Sequence, residues 1–100
     1  MKKVKANCQE KILELIPHLN KLRIKDPWTA AKVCYLIATL YRRCGDKKKA
    51  LSFARKTIIL LEQGILKGDH TNGRTQPNIA GVSIPAHLNK EVIKNQFFRL

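Results

Sequence analysis

Residues Leu40 to Leu51 read "LYRRCGDKKKAL", and the fold turns on how the middle of this stretch is taken. Gly45 can adopt the left-handed backbone that ends a helix. Asp46, directly after it, is a good N-cap for another. A Gly-Asp link this short predicts two helices side by side and antiparallel. The flanking charges are unevenly suited to their places. Arg42 and Arg43 fall in a last helical turn, where cations complement the negative end of the dipole, whereas Lys47, Lys48 and Lys49 fall in a first turn, where they oppose it. Two readings account for the lysines. The tip is a solvated turn whose charge Asp46 partly offsets, or it is a phosphate or carboxylate site. In the second reading the open amides of the helix start act with Lys47, Lys48 and Lys49, and Arg42 and Arg43 approach from the neighbouring helix end.

Working upstream, Asp26 can cap a helix and Pro27 suits its first position, predicting a helix over 27–44. Its apolar residues occupy most sides: Ala30, Cys34, Ile37 and Tyr41 form one stripe, Val33 and Leu40 widen it, and Leu36 lies opposite. Such a helix belongs in the middle of a fold, with neighbours on two flanks. Downstream, 47–66 carries Ala50, Leu51, Phe53, Ala54, Ile58, Leu61 and Ile65 on one broad face. The stretch 5–24 places Cys8, Ile12, Leu15, Ile16, Leu19 and Leu22 on one side of a further helix. Pro17 lies inside it and predicts a kink, or a break into two pieces. Residues 67–84 have glycines and no sustained period, and Asn72-Gly73 lacks alternating apolar flanks, so they read as an irregular loop or linker. Over 85–100, Leu88, Val92, Ile93 and Phe97 outline a short amphipathic helix begun by Pro85, placed to cap the exposed side of the hairpin. The expectation is all-α: a helical core over 1–66 built on an antiparallel hairpin, then a loop and a C-terminal helix.

Residues 31–61 resemble a tetratricopeptide repeat. That family's first helix carries a large apolar residue, a Leu-Gly pair and a tyrosine at fixed spacing. Cys34, Ile37-Ala38 and Tyr41 stand in those places here. The family's turn matches Gly45-Asp46, and its small residue at the helix crossing matches Ala50, with Ala54 in the next packing position. Thr57 stands where alanine is usual and Glu62 where proline would end the repeat. Lys25-Asp26-Pro27 looks like the tail of a preceding repeat, one residue out of register. The resemblance implies a protein-interaction module. Arrays of this kind need about three repeats to bury a continuous core. One copy therefore leaves walls to be supplied by the first helix, the C-terminal helix or a second protomer.

Composition narrows the function classes. Twenty Lys and Arg against seven Asp and Glu give a net charge of +13, and every segment is positive. Such a field attracts acidic proteins, nucleic acids or anionic lipid without choosing among them. Cys8, Cys34 and Cys44 are an odd set at wide spacing, unlike a secreted disulfide framework. The N-terminus lacks the apolar run of a signal peptide, and no stretch approaches the roughly 18–20 apolar residues that cross a bilayer. The expected compartment is the cytoplasm. His18, His70 and His87 lie in separate segments and the cysteines are not closely spaced, so neither a metal nor a cofactor is expected. No catalytic motif appears, and an enzyme is not expected.

The leading expectation is a small basic adaptor or scaffold that presents a basic face to an acidic protein. The alternative is a nucleic-acid-binding protein, RNA ahead of DNA, using a distributed basic surface. A lysine-rich first helix lying on anionic membrane is a weaker third reading. Trp28 reads as a lid on the core, or else as a base-stacking aromatic. Phe97, Phe98 and Leu100 in the terminal "FFRL" read as core packing or as a partner-docking tail. Leu36 and Ile59 sit on otherwise polar faces, which a homodimer would cover.

Overall fold

A computed structural model describes residues 2–66, 78–79, 82–83 and 88–98. The elements are α1 (Lys2–Lys25), α2 (Pro27–Arg43), α3 (Lys47–Leu66), β1 (Asn78–Ile79), β2 (Val82–Ser83) and α4 (Lys90–Ile93). A π-helical turn over Lys94–Phe98 continues α4. The fold is all-α in its core. The strands form only a two-residue antiparallel ladder, with Asn78 opposite Ser83 and Ile79 opposite Val82. This ladder interrupts the stretch read as irregular; the rest of 67–84 lies outside the described residues.

The turn between α2 and α3 closes by local hydrogen bonding. Gly45 has φ +89°, the left-handed conformation expected of a helix terminator. The Asp46 amide donates to the Tyr41 carbonyl at 2.9 Å and the Gly45 amide to that of Arg42 at 3.1 Å. This pair of bonds is the Schellman arrangement, which satisfies carbonyls a helix end leaves open. Asp46 then starts the next helix, its Oδ1 accepting from the Lys49 amide at 3.2 Å. At the other end of α2, Asp26 is the only residue between helices. Its Oδ1 accepts from the Thr29 amide, its Oδ2 accepts from the Thr29 hydroxyl, and Pro27 occupies the first turn.

These links fix α1 and α3 on two flanks of α2, each packed against it, while α1 and α3 scarcely touch each other. The centre of α2 is buried accordingly. Ala30, Ala31, Val33, Cys34, Ile37 and Ala38 are wholly shielded from solvent. From α1 come Cys8, Ile12, Leu15 and Leu19, and from α3 come Ala50, Ala54, Leu60 and Leu61. The small side chains Ala50 and Ala54 let α3 approach closely, and the Tyr41 and Phe53 rings stack at 5.4 Å beside them. Thr57 is also buried, its hydroxyl satisfied by the Phe53 carbonyl at 2.8 Å.

One boundary differs from the sequence reading, and a second falls partly outside the described residues. α1 runs through Pro17 as one helix rather than breaking. Pro17 and Leu13 both lie on the exposed side, so the carbonyl that loses its donor stays on the water-facing surface. The described C-terminal helix begins at Lys90; Pro85, read as its start, lies outside the described residues. Asn89 is extended and caps it, accepting from the Val92 amide at 2.9 Å, so the helical path cannot pass through that residue.

The C-terminal segment packs on α3 and on the tip-side half of α2, as a cover for the hairpin. Ile93 is fully buried. The Tyr35 hydroxyl donates to Gln96 Oε1, and the Tyr35 and Phe97 rings meet edge to face at 6.2 Å. Leu36 is half-buried against the core, whereas Ile59 remains 52% exposed.

The turn yields a direct expectation. A Cβ on Gly45 would meet nothing within 4 Å, so any penalty comes from the positive φ alone. Gly45→Ala should lower the unfolding free energy by about 1–2 kcal/mol, and Gly45→Asn by less, because Asn tolerates this region better. Urea denaturation followed by circular dichroism measures both. Equal stability of Gly45→Ala and the parent would mean that the turn does not hold this conformation in solution.

Candidate functional site

Because α1 and α3 are each antiparallel to α2, they run parallel to one another and leave a cleft between them. Two cavities lie end to end along it. The first, about 730 Å³, is bounded by Gln9, Ile12 and Leu13 of α1, Tyr41 and Cys44 at the end of α2, and Gly45 to Lys49 of the tip. The second, about 540 Å³, continues past Ile16, Leu19, Arg23 and Ile24 on one side and Phe53, Lys56, Ile59, Leu60 and Gln63 on the other, over Cys34 of α2. From Gln9 to Ile24 the helical wall is roughly 22 Å long.

The cleft is apolar at its base and basic at its edges. Lys47, Lys48 and Lys49 stand at one end, and Arg23 and Lys56 flank the other. Asp46 is the one acidic residue among those lining residues, and one of its carboxylate oxygens is held by the Lys49 amide. Two of the lysines rest on aromatic faces: Lys49 Nζ lies 5.6 Å from the Tyr41 ring centre and Lys56 Nζ 4.7 Å from that of Phe53. Such contacts hold a cation at about 0.5–1 kcal/mol where it remains exposed, and leave it available to an anion.

The five cations singled out in the sequence are thereby divided. Lys47, Lys48 and Lys49 line the cleft. Arg42 turns away from it, its Nη1 donating to the Gln96 carbonyl at 3.0 Å and its guanidinium stacking over Phe97 at 5.2 Å. Arg43 is exposed at the helix end, outside the cleft lining. Phe97 and Phe98 pack within the chain, Phe98 beneath the Arg55 guanidinium at 6.0 Å. Leu100 lies outside the described residues. Trp28 packs against the core, and its indole nitrogen is buried with no hydrogen-bond partner among the described residues.

The thiol under the cleft is not disposed to react. Cys34 is buried, and its Sγ donates to the Phe53 carbonyl at 3.1 Å. Burial pushes its pKa from the ordinary 9.0 up to about 11, against smaller opposing effects of the Thr57 hydroxyl and the Lys56 charge. The thiolate that a nucleophile requires is therefore scarce at neutral pH. Among the described residues no cluster of His, Cys, Asp and Glu could hold a metal ion, and no helix is long and apolar enough to cross a membrane.

One buried group escaped the sequence reading. Lys32, between Ala31 and Val33 in α2, is only 1% exposed. Burial lowers its pKa, with the nearby Asp26 charge pulling the other way. A lysine inside a helix already apolar on most sides was the available signal. The chain matches no protein family, no curated protein and no solved structure.

The Lys32 shift fixes the sign of a pH effect. The unfolded chain, with the ordinary pKa of 10.5, binds this proton more tightly than the folded one, so carrying the charge costs the fold stability at neutral pH. That penalty fades as the pH rises from the lowered value towards 10.5. Lys32→Met keeps the side-chain volume without the titrating charge and should compare most favourably with the parent at neutral pH. The advantage should shrink when both proteins are compared by urea denaturation at pH 10. A constant or growing difference would show that charge burial is not the cause.

Proposed function

We propose that the chain is a small, non-catalytic interaction module whose basic, apolar-floored cleft receives an acidic protein partner. The observation that carries this reading is the coincidence of two surface features in one place. Leu13, Ile24, Ile59 and Val92 are the large apolar side chains left exposed among the described residues. All but Val92 line the α1–α3 cleft, together with the lysines of the tip. Exposed apolar residues rimmed by charge suit a protein surface, which can fill them while pairing the cations.

The resemblance to a tetratricopeptide repeat supports the same reading. In that resemblance Tyr41, Gly45-Asp46, Ala50 and Ala54 build a helix pair of a kind that serves protein recognition. The buried thiols of Cys8 and Cys34 suit a reducing compartment such as the cytoplasm.

Nucleic acid is the second reading, favoured by the +13 charge spread over all segments. It makes less use of this cleft. Single strands bind through aromatic platforms as well as cations, and here Tyr41 is stacked on Phe53 while Trp28 packs on the core.

Affinity purification of the tagged chain, with and without nuclease, separates the two readings when paired with replacement of Lys47, Lys48 and Lys49 by Gln. The expected result is a protein partner that survives nuclease, binds the variant more weakly and shows a flatter salt dependence with it. The fold should be retained and even slightly stabilised, because charges opposing a helix dipole are gone. Recovery that vanishes with nuclease would favour nucleic acid. For duplex DNA the salt slope would then fall by about 0.9 for each phosphate that the variant no longer neutralises.

A further inference from the structure

The shape of the cleft says more about its occupant than its charge does. Its walls are two parallel helices, and its floor is a third that is antiparallel to both. A trough of that form, roughly 22 Å long, matches an α-helix of about 15 residues, which would pack against α1 and α3 at once. Leu13, Ile24 and Ile59 project along it, so a matching helix needs apolar residues at three- and four-residue steps on one face. Its remaining faces meet Lys47–Lys49, Arg23 and Lys56, and must be acidic.

Direction follows from the helix dipoles. α1 and α3 both point their N-terminal, positive ends towards the tip, where the lysines add to the field. A bound helix is best placed with its negative C-terminal end there. We infer that the cleft receives one acidic amphipathic helix of a partner protein, antiparallel to α1 and α3, with its C-terminus beside Lys47–Lys49. This inference rests on the protein-binding reading above. A second copy of the chain is a poor occupant, because two molecules of charge +13 repel and like charges across an interface oppose association. The chain's own C-terminal helix is already engaged with α3, Tyr35 and Arg42.

The test uses the full chain and synthetic peptides of about 15 residues. One peptide carries leucines on a single helical face and glutamates elsewhere; its isomer has the same composition with the leucines scattered. Fluorescence anisotropy should show the first binding at least about tenfold more tightly than the second. Replacing Ile24 and Ile59 by Ser, both exposed and so tolerable to the fold, should remove roughly that factor. A nitroxide at the peptide's C-terminus should broaden the amide signals of Lys47–Lys49, and one at its N-terminus those of Leu60–Gln63. Equal binding of the two isomers, insensitivity to the Ile variants, or reversed broadening would overturn the helix inference while leaving an acidic protein partner in place. Failure of both peptides, with binding of an oligoribonucleotide of equal charge, would instead overturn the protein-binding reading itself. Sedimentation showing a dimer that Ile59→Ser dissolves would make a second copy the occupant and overturn the inference.

Discussion

Two short links hold this structure in its shape. Asp26 alone joins α1 to α2, and Cys44–Asp46 joins α2 to α3, so both outer helices must double back along the central one. Each link is closed chemically as well as sterically. Asp26 binds the amide and hydroxyl of Thr29, and Gly45 admits the bonds that finish one helix while Asp46 caps the next. Everything else depends on that double reversal. It buries α2 between neighbours, sets α1 parallel to α3, and leaves their facing sides without a helix from the described chain. The C-terminal segment covers the hairpin elsewhere, through Ile93, Gln96 and Phe97.

The charge distribution follows a related logic. Cations at the start of α3 disfavour that helix locally, yet the same position puts them at the mouth of a cleft whose wall includes Tyr41 and Phe53. Those aromatic faces hold Lys49 and Lys56 without neutralising them. Arg42 shows the opposite outcome. Its guanidinium is committed to the Gln96 carbonyl and the Phe97 ring, where its planar geometry and capacity to stack matter more than its charge. Neighbouring cations in one sequence cluster thus take separate places, some holding the C-terminal segment and some lining the cleft.

Local rules make much of this legible in the sequence. Gly45 followed by Asp46 announces a helix end and a helix start, and the Asp26-Pro27 pair announces another. The all-round apolar pattern of α2 places it in the centre. What local rules could not supply was the relation between elements far apart in sequence. Ile59 by itself is one apolar residue on a polar face, and only the parallel placement of α1 and α3 joins it to Leu13 and Ile24 as one surface. The division of Arg42 from Lys47–Lys49 likewise depends on Gln96, distant in the chain. Pro17 does not break α1 for a related reason: its effect depends on which face it occupies, and it lies on the water side. Asn89 caps the C-terminal helix because its side chain reaches the Val92 amide, a contact that spacing permits but does not single out. Lys32 is the sharpest failure, since its charge suggests a surface position and the packing around α2 denies one.

α2 is the common support against which α1, α3 and the C-terminal segment all pack. Native-state hydrogen exchange tests it most directly, because each amide reports the free energy of the opening that exposes it. Amides from Ala30 to Ala38 should be the slowest in the chain and exchange only through global unfolding, with amides of the outer helices opening at equal or lower free energy. Amides of α2 that open at lower free energy than those in the middle of α1 and α3 would contradict it.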